Sequence, residues 1–167
     1  MSVSDPRPDR AEKALAEVWA CEMVYDGPLP EAPELNCAPL SEAIFEAYRE
    51  MYNACFYPMR RALDIRPHCW YGEDARLEDV PPGVFVLMED GELVGSVACR
   101  GGEVDDLIVS PSRRGRGYGE ALLRWAMRRV RGEGHREIVL RVAEWNAAAL
   151  RLYLRMGFAV TRRERVR

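Results

Sequence analysis

The stretch Leu107-Ile-Val-Ser-Pro-Ser-Arg-Arg-Gly-Arg-Gly-Tyr-Gly119 decides how this chain is read. Apolar residues up to Val109 predict a buried strand, Pro111 ends it, and the periodicity from Gly117 to Arg131 predicts a helix. Leu123, Ala126, Met127 and Val130 share one face of that helix, with Arg124, Arg128 and Arg131 largely elsewhere. Gly115, Gly117 and Gly119, interleaved with Arg113, Arg114 and Arg116, therefore fall in a strand-to-helix turn. Glycine lets a backbone approach a ligand closely, and the first turn of a helix offers unpaired N–H groups and the positive end of its dipole. A phosphate or pyrophosphate suits such a turn, and the guanidinium groups add mobile positive charge. The glycine spacing is not that of the dinucleotide fingerprint, and no Gly-Lys-Ser/Thr follows, so those two nucleotide readings fail. The same letters also read as a solvated turn, or as a single arginine–glycine box for RNA, although such boxes are usually disordered repeats.

Downstream, residues 137–142 predict a strand and 146–156 a helix with Ala149, Leu152, Tyr153 and Met156 aligned. Gly157 stops that helix, and residues 158–161 start a last strand. Upstream, the apolar runs 84–88 and 93–99 flank Glu89-Asp-Gly-Glu92, a hairpin signal. In the strand 104–109, Leu107 and Val109 alternate with Val104 and Ile108, so it is buried on both faces or carries a bulge. Ser41 predicts a helix N-cap with a Leu40–Phe45 staple, and Ile44, Tyr48 and Tyr52 continue the apolar face. Pro58 then predicts a second helix through 59–65, followed by a long loop over 67–82.

Residues 1–34 read as an extension. Asp9 and Glu12 make a capping box, and Ala11, Ala14, Leu15 and Val18 recur at helical spacing, so a short helix is expected there. The proline-rich stretch 26–34 reads as a linker, and a brief strand follows at 35–38. Residues 35–167 then form a single mixed α/β domain.

At 167 residues and 48% apolar, the chain can bury a real core. No apolar run approaches the roughly 20 residues of a membrane-spanning helix. The first ten residues are polar and proline-broken, unlike a secretory leader, and point to the cytoplasm. Five cysteines without a Cys-x-x-Cys pair predict buried free thiols, and His68 and His135 are too far apart to suggest a metal site. Up to Ser110 there are 9 basic and 22 acidic residues, and beyond it 15 and 5. The second part is thus suited to an anion and the first to a cation, while a sequence pI near 5.6 argues against non-specific nucleic-acid binding.

The segment Ile138-Val-Leu-Arg-Val-Ala-Glu-Trp-Asn-Ala-Ala-Ala-Leu-Arg-Leu-Tyr-Leu-Arg-Met-Gly-Phe158 adds a second pattern. Asn146, Ala149, Leu152, Tyr153, Gly157 and Phe158 match N-x-x-A-x-x-L-Y-x-x-x-G-F, and Arg114, Gly117 and Gly119 match R-x-x-G-x-G/A. In this order the two resemble the GNAT superfamily of acyl-CoA-dependent N-acyltransferases, over about half the chain from Gly83 to Arg167.

The resemblance implies a GNAT-like α/β fold: a central, mostly antiparallel sheet splayed at the cofactor site and flanked by helices. It implies acetyl-CoA as co-substrate and a primary amine, small molecule or peptide, attacking directly in a ternary complex. Backbone groups of Leu107, Ile108 and Val109 would pair with pantetheine, and Arg114, Gly115, Arg116, Gly117, Tyr118 and Gly119 would hold the pyrophosphate. Asn146 would bond the cofactor arm, cap its helix, or do both. Tyr153 would be the general acid, or else a core tyrosine. Glu103, six residues before Val109, matches the glutamate base of some members, with Asp105 and Asp106 close by, and otherwise belongs to an acidic turn. The Val109 amide would stabilise the developing oxyanion.

Tyr48, Tyr52 and Phe56, with Tyr57, Trp70 and Tyr71 near them, would line the acceptor site or fill the core. Family members commonly end in a two-strand hairpin, whereas only nine residues follow Phe158 here. A segment of the extension, or a second subunit in a homodimer, would then cover the open edge. Two other readings stand beside the transferase: a non-catalytic acyl-CoA-binding module, and a nucleic-acid-binding protein using the C-terminal arginines.

Overall fold

The computed structural model describes residues 17–166, whose apolar periodicities resolve into seven strands and three α-helices. In chain order these are β1 (Trp19–Tyr25), β2 (Cys37–Pro39), α1 (Glu42–Ala62), β3 (Val84–Glu89), β4 (Glu92–Arg100), β5 (Glu103–Val109), α2 (Tyr118–Gly132), β6 (Ile138–Ala143), α3 (Ala147–Arg155) and β7 (Ala159–Arg165). Short 3-10 turns occupy Leu77–Asp79 and Pro111–Arg113. All seven strands join one sheet in the order β2-β3-β4-β5-β6-β1-β7. Every neighbouring pair is antiparallel except β5 and β6, which run parallel and share the single register pair Glu103 with Val139. The sheet is therefore split between β5 and β6, as the resemblance implies.

Alternation along the strands feeds a core on each face. Phe85, Leu87, Val97, Leu123, Met127, Leu140 and Phe158 belong to the cluster under α2 and α3. Val84, Val86 and Ala98 point the other way, onto Phe45, Tyr48, Met51 and Tyr52 of α1. β5 changes sides midway. Val104 lies in the first cluster and Ile108, four residues on, in the second, although an even separation keeps one face in a regular strand. The register shift between Ser96 and Ala98 accommodates an extra residue in β5, and Asp106 takes a positive φ of 45°. The bulge allowed by the sequence is thus present. Gly95 on β4 lets the layers meet: a Cβ there would lie 2.7 Å from the Ile108 carbonyl oxygen and 2.8 Å from Leu122 Cδ1.

Three expectations are corrected. First, Trp19–Tyr25 is not an appended extension but an interior strand between β6 and β7. Cys21 and Met23 are buried in the α2/α3 cluster and Tyr25 packs against it, so β1 is bound into the sheet by its side chains as well as its ladders. It occupies the place for which the sequence left a segment of the extension or a second subunit. The helix expected over residues 11–18 lies outside the described residues, apart from the non-helical Val18 and Glu17.

Second, α1 runs unbroken through Pro58. An interior proline forfeits one helical hydrogen bond and strains the turn, at about 3 kcal/mol. Tyr52 before it and the C-cap residue Leu63 after it are both buried. Ser41 does precede the helix with extended backbone, but its hydroxyl makes no cap bond, and Ile44 N–H closes the turn on the Ser41 carbonyl at 3.1 Å. Third, the free cysteines are not all buried: Cys37 and Cys55 are half-buried and Cys69 is exposed.

Candidate functional site

Because β5 and β6 meet only at Glu103 and Val139, their C-terminal ends leave a cleft of about 420 Å³. Its walls are Leu107, Ile108 and Val109 of β5, the turn from Arg113 to Gly119, Asn146 and Leu152 at α3, and Cys55, Phe56, Pro58 and Met59 of α1. The β5 edge facing it has hydrogen-bonding capacity. Ser110 N–H donates to Val94 O at 2.8 Å, so the adjoining Gly95/Val109 pair is of the non-hydrogen-bonded kind. Val109 N–H and C=O consequently point away from β4. The carbonyl accepts from Cys55 Sγ and Arg114 Nε, each at 3.4 Å.

The glycine turn folds as its sequence demands. Gly115 and Gly117 have φ of 76° and 84°, a region that costs an L side chain strain, and Gly117 caps α2. The first helical bond runs from Ala121 N–H to Gly117 O at 3.1 Å. Among the described residues, the N–H groups of Tyr118, Gly119 and Glu120 donate to no protein acceptor. These donors carry the positive end of the α2 dipole toward the cleft.

The three arginines differ. Arg113 is committed to Glu89 at 3.4 Å and Glu92 at 2.6 Å, and Tyr118 donates its hydroxyl to the same Glu89. Tyr118 lines the cleft with its hydroxyl engaged by Glu89, a bond that raises the phenol's pKa. Among the described residues Arg114 makes the 3.4 Å contact to Val109 O and another of 3.4 Å to Cys55 Sγ and no ion pair, which leaves donors for an anion. Arg116 is exposed and has no ion pair among the described residues.

Asn146 caps its helix as expected and stands in the cleft wall, its Oδ1 accepting Ala149 N–H at 3.2 Å. Tyr153 is buried, its ring centroid 6.1 Å from that of Phe158, and its hydroxyl has no protein partner among the described residues. Burial, then Asp105 and Asp106, push its phenol up to about 12. It does not line the cleft itself.

Glu103 stands at the closed end of the split, paired in register with Arg100 and Val139, and is not in the cleft wall. Asp105 accepts from Arg100 at 3.3 Å and from the Asp106 N–H at 2.8 Å. Asp106 stands at the bulge, with a positive φ. Burial first and the Asp105 charge second push its carboxyl up to about 6, against the lowering fields of Arg100 and Arg60. It also raises the phenols of Tyr48, Tyr52 and Tyr71, whose own burial is the larger cause.

Of the expected acceptor residues, Phe56 lines the cleft, whereas Tyr48 at 1% exposure is core and Tyr52 at 8% nearly so. Sequence reading missed Cys55, Pro58, Met59 and Trp145 as cleft residues. For the first three the misplaced helix break hid the signal, since Cys55 and Met59 are one turn apart on the same helix.

A mixed sheet split between parallel strands, with an arginine–glycine turn at the mouth, is the scaffold that the GNAT resemblance implies. Residues 44–158 match the model of the acetyltransferase (GNAT) family, and the chain belongs to that family. It is 40% identical over 98 residues to streptothricin acetyltransferase of Streptomyces lavendulae, covering 53% of this chain and 51% of that protein. It is 30% identical over 160 residues to an uncharacterised N-acetyltransferase of Methanocaldococcus jannaschii, covering 89% and 67%. Mycothiol acetyltransferase of Streptomyces coelicolor is 37% identical over 84 residues, 47% of this chain and 27% of that one. The chain thus spans about half the length of the first relative and about a quarter of the third. The crystal structure of a putative GNAT acetyltransferase from Novosphingobium aromaticivorans shares the fold with a TM-score of 0.64 at 22% identity, over 89% of this chain and 62% of that one. Among the described residues no helix is long and apolar enough to cross a membrane.

Proposed function

We propose that this chain transfers the acetyl group of acetyl-CoA to a primary amine that attacks it directly in a ternary complex. One observation carries the reading: the open edge of β5 at Val109 leads into unpaired first-turn amides of α2 beside an under-used Arg114. An extended amide-bearing arm can add to a strand edge, and a pyrophosphate suits a helix N-terminus with a guanidinium at hand. Leu107, Ile108 and Val109 would take the pantetheine arm, Arg114 to Gly119 the pyrophosphate, and Asn146 the arm through its amide N–H groups. Acetyl-CoA supplies the acetyl thioester when bound.

The remaining chemistry belongs to the protein. An alkylammonium has a pKa of about 10.4, so the acceptor must lose a proton before its nitrogen can attack. Neither Glu103 nor Asp106 lines the cleft, so either would act through an intervening water; Asp106, three residues nearer the mouth and held up at about 6, is ionised at neutral pH and yet basic enough to accept a proton. Val109 N–H would stabilise charge developing on the carbonyl oxygen. Tyr153, protonated throughout the working range, would give its proton to the departing sulfur.

Calorimetric titration of acetyl-CoA, paired with continuous detection of released thiol across a panel of primary amines, tests the proposal. Micromolar binding with amine-dependent thiol release is expected. Binding without turnover supports a non-catalytic acyl-CoA-binding module instead, and absence of binding overturns both.

A further inference from the structure

Beside the cleft lies a second cavity of about 270 Å³, lined by Glu17, Val18, Trp19, Leu63, Glu144 and Trp145. Two walls run from one space into the other. Trp145 lines both, and it stands between Glu144 of the second cavity and Asn146 of the cleft. Along α1, Leu63 lies one helical turn beyond the cleft residue Met59 and donates its N–H to the Met59 carbonyl at 2.9 Å. The remaining wall is the start of β1, whose Trp19 carbonyl accepts the Glu144 N–H at 2.9 Å. A molecule seated in the second cavity is therefore next to the cleft, with Trp145 between.

The chemistry of the lining says what such a molecule is. Glu17 accepts from Arg165 Nη1 at 3.0 Å and from the Trp19 indole N–H at 3.2 Å. Glu144 holds Arg163 through Nε and, at 3.0 Å, through Nη2, and the Arg163 guanidinium carbon lies 3.9 Å from the Trp19 ring centroid. Both carboxylates are thus answered by arginines, and one indole face is taken. What stays open is apolar. Val18 and Leu63 are buried, while Trp145 is 49% exposed and has no ring or cation stacked on it among the described residues. A second cation would find no unpaired carboxylate here and would stand beside Arg163. An uncharged ring would gain the Trp145 face and two aliphatic walls. An apolar cavity of about 150 Å³ takes benzene, so this one has room for a single ring or a fused pair.

We propose that the second cavity holds the body of the acceptor, and that the acceptor is a primary amine carrying an uncharged, flat apolar group, an arylalkylamine in chemical class. This rests on the amine-acetylation reading above and names the substrate class for it. The ring packs on Trp145 and the alkyl arm passes that residue to carry the amine into the cleft, so arm length and ring together decide which amines are used.

The test compares primary amines in two sets that share an arm: ethylamine, 2-phenylethylamine and tryptamine, then butylamine, 4-phenylbutylamine and 1,4-diaminobutane. Wild type, Trp145→Phe and Trp145→Ala are each assayed at saturating acetyl-CoA. The ratio of kcat/KM within a set is measured on one enzyme sample, so partial loss of folded protein and any change in cofactor binding cancel. Wild type is expected to favour a ring-bearing amine over the plain alkylamine tenfold or more in at least one set, mainly through KM. Trp145→Ala is expected to bring that ratio near one, and Trp145→Phe to retain part of it. Equal use of ring-bearing and plain amines by wild type, a preference for the diamine over both, or an unchanged ratio in Trp145→Ala overturns the proposal while leaving amine acetylation standing. Acetyl-CoA binding with no transfer to any of these amines overturns both.

Discussion

Arg114 reaches Val109 O with its Nε at 3.4 Å and Cys55 Sγ with its Nη2 at 3.4 Å, so one guanidinium ties the end of β5 to α1 across the mouth of the cleft. Both contacts are long, and neither partner is a full negative charge, so a phosphate would outcompete them.

Replacing Arg114 by Gln is therefore expected to weaken acetyl-CoA binding about tenfold, near 1.4 kcal/mol, with little change in thermal stability. Arg113→Gln provides the contrast, because that side chain is held by Glu89 and Glu92 and acts on the turn through them. Calorimetry at two salt concentrations checks this, since loss of a charge-assisted contact flattens the salt dependence in Arg114→Gln. An unchanged affinity in Arg114→Gln would remove it from the anion site.

The hairpin, the glycine turn and the α3 cap were legible in the sequence because each rests on local chemistry, whereas the split sheet was implied by the family resemblance alone. Asp90-Gly91 supplies two positive-φ residues between apolar runs, and Asn146 lies three residues before the N–H it caps. What escaped depends on distant residues. Trp19–Tyr25 alternates as a strand, but Glu22 in its centre and the helical spacing just before it obscured the period. Glu22 is accommodated because Arg141 and Arg162, both from remote strands, lie 3.3 Å away. The break expected at Pro58 failed for the same reason: the packing of Phe45, Tyr48, Met51 and Tyr52 on the sheet outweighed a local preference. Asp106 was one of three acidic residues in sequence and became distinctive only through the bulge.

The placement of β1 carries its own prediction. Met23 is fully buried between β6, β7 and the α2/α3 cluster, so Met23→Ala leaves a cavity and is expected to cost about 2–4 kcal/mol. Urea denaturation checks this, with the midpoint falling and the slope unchanged. A residue of a loosely attached extension would show almost no loss.

Tyr153→Phe removes a hydroxyl that has no protein partner among the described residues, so no buried group is orphaned and stability should change by less than about 1 kcal/mol. The departing thiol is a fairly good leaving group, with a pKa of about 8.5 for an alkyl thiol, so protonation assists less than it would an alkoxide. A fall in kcat of roughly 10- to 100-fold is expected, at the low end of general-acid effects, with the KM values for both substrates little altered. Steady-state kinetics decide it: an unaffected kcat assigns Tyr153 to packing against Phe158 alone.

Asp106 links activity and stability in opposite directions. Its carboxyl is pushed up from 3.8 to about 6 in the folded chain, so between those values the folded state holds the proton more tightly than the unfolded state. Stability therefore declines as pH rises through that interval and levels off above it. Activity climbs instead, because only the ionised carboxylate can accept a proton, and the acidic limb of kcat/KM is expected near pH 6. Asp106→Asn should separate the two effects. At pH 8 it relieves a half-buried charge beside Asp105 and is expected to stabilise the fold by about 1–2 kcal/mol, discounted for solvent screening, while lowering kcat about 100-fold or more. Near pH 4 the wild-type carboxyl is already neutral in the fold, so the stability gain should vanish. Thermal melts and pH–rate profiles of both proteins check this, and a wild-type acidic limb that persists at the same pH in Asp106→Asn would transfer the proton-accepting role to another carboxylate.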